Sequence, residues 1–572
     1  LTSTSGPERT PGRLAAPALG LALVTLLGAP GGAGQGPGVG NLKTKAEASD
    51  FTSTSTYDDV VKFMQAVDQA SPIVYYASYG TTFEKRDMPL AVVGTGLKDG
   101  SAASVRASGK LRVHIQGNIH AGEVEGKEAA QILLRELASN QHAAWLQSTV
   151  FLITPIFNAD GNERFAMNNR GPQHGPINGQ GTRANAQNLN INRDFMKLDT
   201  PEGRAFAKLW IDYDPHVGFD LHTSNGSCHG YYLTYSPPLN PNTSDAIMTI
   251  MKGEWFPFVT KTVKAKHNWD MFYYGNTSGA CVGATPGRGR RGGDPGAAGA
   301  TPPVAAPPQP APTGPRAWGT FEHVPRFHNN YVGMRNRFAL LSEAYAYATF
   351  EDRIKATNYF MEEALNFAHQ SANRLKAATA TADKEPIIGR TLGTRAQIKS
   401  GGLIEILMGE VTEEPHPTTN ALMRRRKDVV HPEQMIDRLW FEPTRTEVVP
   451  TEYYVPASAS AALELLRAHG IQMRQLTQPV SGGEQFTIET NTQRPATNSI
   501  DTGTHGLRTL TGQWQPGAAV VPPGAWAVPM NQPLARLAFY LLEPTSDDGL
   551  TAWNALDDLL KEAKTYPIVR RK

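Results

Sequence analysis

Cysteine is nearly absent from this chain. Cys228 and Cys281 are the only two in 572 residues, which excludes a disulfide scaffold and a cysteine-rich zinc module. The pair either bridges, as an exported chain allows, or stands as two isolated buried thiols. An excess of charge of one sign is also missing. With 55 Lys plus Arg against 53 Asp plus Glu, no overall field points to nucleic acid or to anionic lipid. A convincing membrane span is lacking too. The apolar run "LAAPALGLALVTLLGA" follows Arg9 and Arg13 and precedes the small-residue stretch "PGGAGQGPGVG". It is short and interrupted by Ala, Gly and Pro, so residues 1–35 read as a secretory signal peptide. No cysteine follows it, which argues against a lipid-anchored lipoprotein. The expectation is a secreted or periplasmic protein with no stable membrane span once the signal is removed; an uncleaved signal is the one route to membrane anchoring.

What is present is enough chain for two or more domains, at roughly 100 to 200 residues each. Residues 50–380 alternate short apolar runs with helical patterns. "LRVHIQG", "STVFLITPIFN" and "HVGFDLHTSNG" suit buried strands, whereas "GKEAAQILLREL" and "PEGRAFAKLWIDY" carry helical periodicity. "ALLSEAYAYATFEDRIKATNYFMEEALNFAHQSANRLKAA" runs a final strand into a long amphipathic helix. This texture predicts an α/β domain with a central sheet flanked by helices. It is interrupted at 283–316 by a Gly, Pro and Ala-dominated stretch without apolar period, which is expected to be a disordered surface insertion. Its "RGRR" is read as a solvated loop rather than a nucleic-acid contact. From Pro386 to Lys572, short β-prone pieces such as "TRTEVVPTEYYVPA", "QFTIETNT" and "GAWAVPMNQ" predict a separate β-rich C-terminal domain. Helical patterns return there in "SAALELLRAHG" and "LTAWNALDDLLKEA".

His120 and Glu123 stand three apart where "LRVHIQ" gives way to a helix. With 15 histidines in the chain, roughly one His-x-x-Glu pair is expected by chance, so the pair alone is weak. On one face of a first helical turn, imidazole and carboxylate make an ordinary zinc ligand set. A third nitrogen would come from elsewhere, with the fourth position open to water. His222, at the end of the "FDLH" strand, supplies it, although a lone histidine on an apolar strand is also compatible with a satisfied core residue. "NLNINRDF" adds Asn192 and Arg193, and "LLSEAYAY" puts Glu343 just after an apolar run, where a carboxylate otherwise makes little sense.

Taken in this order, the two ligands, the Asn-Arg pair, the strand-end histidine and the semi-buried glutamate resemble the zinc carboxypeptidase family of the carboxypeptidase A and D type, over about Thr52 to Ala380. The resemblance implies a mixed central sheet flanked by helices and one zinc ion (Zn2+) per chain, held by His120, Glu123 and His222. Glu343 would act as general base, and Asn192 with Arg193 would grip the free C-terminal carboxylate of a peptide substrate. It also implies an oxyanion-stabilising arginine, for which Arg183 lies nine residues before Asn192, with Arg170 in "NNRGP" as competitor. Two positions depart from the family pattern. Asn190 stands where an aspartate commonly accepts a hydrogen bond from the first zinc histidine. The family's mobile tyrosine has no match at its usual place, and Tyr331 is the nearest candidate for substrate binding. Three functions follow: a secreted metallocarboxypeptidase, a zinc amidohydrolase acting on cell-wall peptides or N-acyl amino acids, and a catalytically silent peptide-binding protein.

Overall fold

The computed structural model describes residues 38–279, 281–284 and 314–572. The expected signal peptide at 1–35 and most of the expected insertion at 283–316 lie outside these residues. Residues Val39–Lys572 form one unit.

Period-2 alternation of apolar side chains builds the sheet that carries the site. Its strands are β1 (Val74–Thr81), β2 (Asp87–Val93), β3 (Leu111–Gly117), β4 (Thr149–Thr154), β5 (Val217–Thr223), β6 (Leu233–Ser236) and β7 (Met271–Tyr273). After the short β8 (Ala317–Gly319), which pairs elsewhere, β9 (Phe338–Ala344) completes it. The order is β1-β2-β4-β3-β5-β9-β6-β7. β4, β3, β5 and β9 run parallel, while β1, β2 and β6 join through antiparallel pairs. The sheet is therefore mixed. Val113, Ile115, Val217, Phe219, Leu221, Phe338 and Leu340 point to one face, where they pack on helices Tyr57–Ala70, Glu125–Ala138, Phe256–His267 and Phe350–Gln370. Each fully buried side chain of this kind stabilises the fold by about 1.5–3 kcal/mol. The opposite face receives the alternate residues, among them Asp220, His222 and Glu343.

One close approach sets where the strand ends meet the first of these helices. A Cβ on Gly126 would lie 2.5 Å from Leu221 Cβ, and one on Gly117 would lie 2.9 Å from the Gly126 carbonyl carbon. Only glycine lets the start of helix Glu125–Ala138 press against β3 and β5.

Beyond Pro386 the chain is β-rich. Strands β10 (Thr391–Lys399) and β13 (Trp440–Val448) pair, and β11 (Leu403–Pro415) and β12 (Leu422–Arg438) make a long hairpin with β8 alongside. A six-stranded sheet follows, in the order β15-β18-β14-β19-β16-β17, from β14 (Glu452–Val455), β15 (Arg474–Gln475), β16 (Val480–Gln493), β17 (Arg508–Val521), β18 (Trp526–Pro529) and β19 (Thr565–Arg571). Helix Ser460–Ala468 forms where its pattern predicts one. "LTAWNALDDLLKEA" forms only the turn Asp557–Leu560, because Asn554 sits at φ 66°, outside helical space. The apolar core runs across the change of texture near Pro386. Met88, Leu90, Leu152, Phe206 and Trp210 share a cluster with Tyr453, Phe486, Phe539 and Tyr566. Among the described residues, no helix is long and apolar enough to cross a membrane.

Candidate metal centre

β3 ends at Gly117, and Asn118, at φ 63°, turns the chain. The Asn118 amide donates to the carbonyl of Ala121 at 3.2 Å, and the Glu123 N–H donates to the carbonyl of His120 at 2.8 Å. His120 and Glu123 therefore lie in a tight turn before the helix, which begins at Glu125, and not in its first turn as their spacing suggests. The effect on their side chains is the same: His120 Nδ1 stands 3.0 Å from Glu123 Oε1. From β5, His222 brings its Nδ1 to 2.8 Å from Glu123 Oε2. One ligand atom from each of these three buried residues lies within 4.8 Å of the others.

The outer nitrogens explain what the inner ones present. His120 Nε2 lies 3.0 Å from Asn190 Oδ1, and His222 Nε2 lies 2.8 Å from Asp220 Oδ2. Both partners are acceptors, so each Nε2 carries a proton and donates it. In the neutral rings both Nδ1 atoms are then lone pairs aimed at a carboxylate. Three lone-pair donors facing one another repel unless a proton or a cation lies between them, and two imidazoles with one carboxylate is a donor set suited to zinc. The residues present fit that metal.

The electrostatics are strong. Burial, reinforced by the Arg183 charge, pushes His120 down to about 3. Burial opposes charge on His222 as well, but Asp220 and Glu123 outweigh it and hold the ring above its ordinary value. Glu123 is held well below the usual carboxylate range, its burial overcome by His120 and Arg170. Arg170 Nη1 reaches Glu123 Oε1 at 3.1 Å, and Arg183 Nη1 stands 3.5 Å from the same oxygen. Glu343 is pushed up to about 8, first by burial; the nearby Glu123 charge adds to this, against the opposing charge of His222.

A cavity of about 90 Å³ opens on these groups and is also lined by Arg183, Asn192, Arg193 and Glu343. The structure thus brings together seven of the eight residues picked out from the sequence. Arg193 lies over the Phe327 ring at 3.8 Å and is lowered to about 10 by burial and by Arg183. Tyr331 is the exception. It is fully buried, its hydroxyl 2.9 Å from His469 Nδ1 and 3.1 Å from Arg335 Nη1, in the apolar cluster that packs on the face of the sheet carrying Asp220 and His222. It does not line the cavity, because helix His328–Met334 turns it toward the C-terminal region. Tyr274 lines the cavity instead, its hydroxyl accepting from Asn225 and Asn276. Sequence reasoning missed Asp220, Tyr274, the contact of Arg170 with Glu123, and Asp501. Only Asp220 carried a signal, since two residues before His222 on one strand means the same face.

Residues 60–282 match the family model described as zinc carboxypeptidase. That span contains His120, Glu123, Arg183, Asn192, Arg193 and His222 and ends before Glu343. The chain is 30% identical over 180 residues to carboxypeptidase 2 of Trichophyton rubrum, covering 30% of each. It is 29% identical over 178 residues to carboxypeptidase 2 of Trichophyton equinum, again covering 30% of each. The match therefore spans about a third of these relatives' length. Among solved structures, a metallo-carboxypeptidase of Burkholderia cenocepacia is 17% identical with a TM-score of 0.38, covering 56% of this chain and 70% of that one. A carboxypeptidase A of Helicoverpa armigera is 15% identical with a TM-score of 0.37, covering 59% and 76%.

Proposed function

We propose, on the match of residues 60–282 to the zinc carboxypeptidase family model, that the protein is a zinc-dependent metallocarboxypeptidase that removes the C-terminal residue of peptides. The convergence of the His120 and His222 Nδ1 atoms on Glu123, with Glu343 on the same cavity, carries this reading. His120, Glu123 and His222 would hold one zinc ion, which when bound polarises the scissile carbonyl and makes water a nucleophile near neutral pH. Glu343 takes a proton from the attacking water at its carboxylate and passes it to the leaving amine. Arg183 faces the charge that develops on the carbonyl oxygen. Arg193 and Asn192 hold the substrate's terminal carboxylate, to which a guanidinium offers two parallel donors.

The bond between Cys228 and Cys281 supports an oxidising compartment, secreted or periplasmic. The test uses the zinc-loaded protein and pairs of peptides that differ only in a free or amidated C-terminus, with products read by mass spectrometry. Release of one terminal residue from the acid, at least tenfold faster than from the amide, is the expected result. Equal cleavage of both would favour a zinc amidohydrolase, and binding without turnover a silent peptide-binding protein.

A further inference from the structure

The loop between β16 and β17, residues 494–507, leaves the C-terminal sheet and lies against the segment that holds Asn190. The Asn190 N–H donates to the carbonyl of Ile500 at 2.7 Å, and its side-chain Nδ2 donates to Asp501 Oδ1 at 2.7 Å. The loop is pinned nearby by His505, whose Nε2 is 2.9 Å from Asp199 Oδ2 and whose Nδ1 is 3.1 Å from Asn554 Oδ1. Asn190 itself is buried. An ionised carboxylate only accepts hydrogen bonds, so the NH2 end of the Asn190 amide must face Asp501. Its oxygen must then face His120, which obliges Nε2 of that ring to donate and leaves Nδ1 unprotonated. Burial alone would raise the Asp501 carboxyl, but the Arg193 charge and the Asn190 hydrogen bond outweigh it and keep it ionised.

The two histidines are therefore anchored alike. His222 donates directly to Asp220, two residues earlier on its own strand. His120 donates to a neutral amide whose orientation is set by a carboxylate 311 positions beyond it. We propose that Asp501 is a positioning residue of the metal centre, acting through Asn190 to fix the tautomer and orientation of His120 and to raise its basicity as a ligand. The proposal rests on the zinc site described above. It gives the C-terminal region a defined part in that site: it supplies the charge that a neutral asparagine at position 190 lacks.

The experiment measures zinc dissociation constants of the full-length protein by competition with a chromogenic chelator, with the melting temperature of each metal-free protein as control. Outer partners of metal-bound histidines are generally worth about 10- to 100-fold in affinity. Asp501→Asn should weaken zinc by that factor and leave the metal-free melting temperature close to the parent's. The double variant Asn190→Asp with Asp501→Asn moves the carboxylate onto His120 directly and should restore affinity. In an Asn190→Ala background, Asp501→Asn should have no further effect, because the relay is already cut. A loss of less than threefold for Asp501→Asn, or losses that simply add in the Asn190→Ala background, would overturn the proposal. If Asp501→Asn lowers the metal-free melting temperature, Asp501→Glu decides: parental affinity supports the relay and its loss overturns it. Failure of the unaltered protein to bind zinc would instead overturn the metal site itself.

Discussion

His222 and Glu343 are register partners on the adjacent parallel strands β5 and β9. Their backbones are held about 4.8 Å apart by the ladder of the sheet, so the candidate ligand and the candidate proton carrier keep their spacing without help from a loop. Glu343→Gln should therefore change charge without changing place. One zinc per chain should remain, KM should barely move, and kcat should fall by about a hundredfold or more. Metal content and steady-state rates measured on the same preparation check this, and normal turnover would assign the proton transfer to another group.

Chelation should abolish hydrolysis and added zinc should restore it. The metal should also stabilise the fold, because it binds only where His120, Glu123 and His222 converge; at a thousandfold excess over the dissociation constant the gain is about 4 kcal/mol. Calorimetric melts with and without zinc check the point. The parent protein should show the upward shift and His222→Ala should not.

Arg193 lies across Phe327, donates from Nη1 to the Asn192 carbonyl at 2.7 Å, and meets its nearest carboxylate, Asp501, only at 3.8 Å from Nε. Arg193→Ala should lower kcat/KM for free-acid peptides by about tenfold or more while hardly changing amidated ones, which never made the contact. A uniform loss on both substrates would mean that the guanidinium serves the fold and not the terminal carboxylate.

Tyr331→Phe should leave kcat/KM unchanged and reduce stability. Its hydroxyl is buried between His469 and Arg335, and removing it leaves His469 Nδ1 without that partner, at a cost of about 1–3 kcal/mol, while Arg335 Nη1 keeps its bond to the His469 carbonyl at 2.9 Å. Thermal melts beside activity assays would show the separation, and a selective loss of activity would return Tyr331 to the site.

The pin on the 494–507 loop should depend on pH. The Asp199 carboxylate raises His505 above its ordinary value against the effect of burial; Asn554 adds to the rise, and Lys197 opposes it. A group raised in the folded state adds stability that is complete below its unfolded pKa, about 6.5, and is lost as pH climbs through the higher folded value. The gap in melting temperature between the parent and His505→Gln should be widest below pH 6.5 and shrink as pH rises. A gap independent of pH would show that the contact is made by the neutral ring.

Much of the site could be read before the fold, for a local reason. His120, Glu123, His222 and Glu343 each sit at the end of an apolar run whose strand character is visible, and the sheet then brings those ends together. The mixed sheet and its flanking helices follow from the same runs. Asp501 could not be read, since nothing near it in the chain distinguishes it from any acid in a polar loop, and its partner lies 311 positions away. Tyr331 misled because distance along the chain to Glu343 says nothing of the face a helix turns inward. Here His469, from the C-terminal region, was the partner that decided it. The turn at His120 differs from the expected helix start because Asn118 closes it with its own side chain.

The shared core has a consequence for dissection. A fragment ending near residue 385 would contain every candidate ligand, the proton carrier and the arginines, yet it would cut through the apolar cluster that Met88, Leu90 and Trp210 share with Tyr453, Phe486 and Tyr566 and uncover Tyr331 where His469 now packs on it. Such a piece would hold the chemistry without the means to stay soluble. The span that matches the family model, 60–282, is thus shorter than the smallest part of this chain that can be moved, swapped or engineered as a unit, which reaches through the C-terminal sheet.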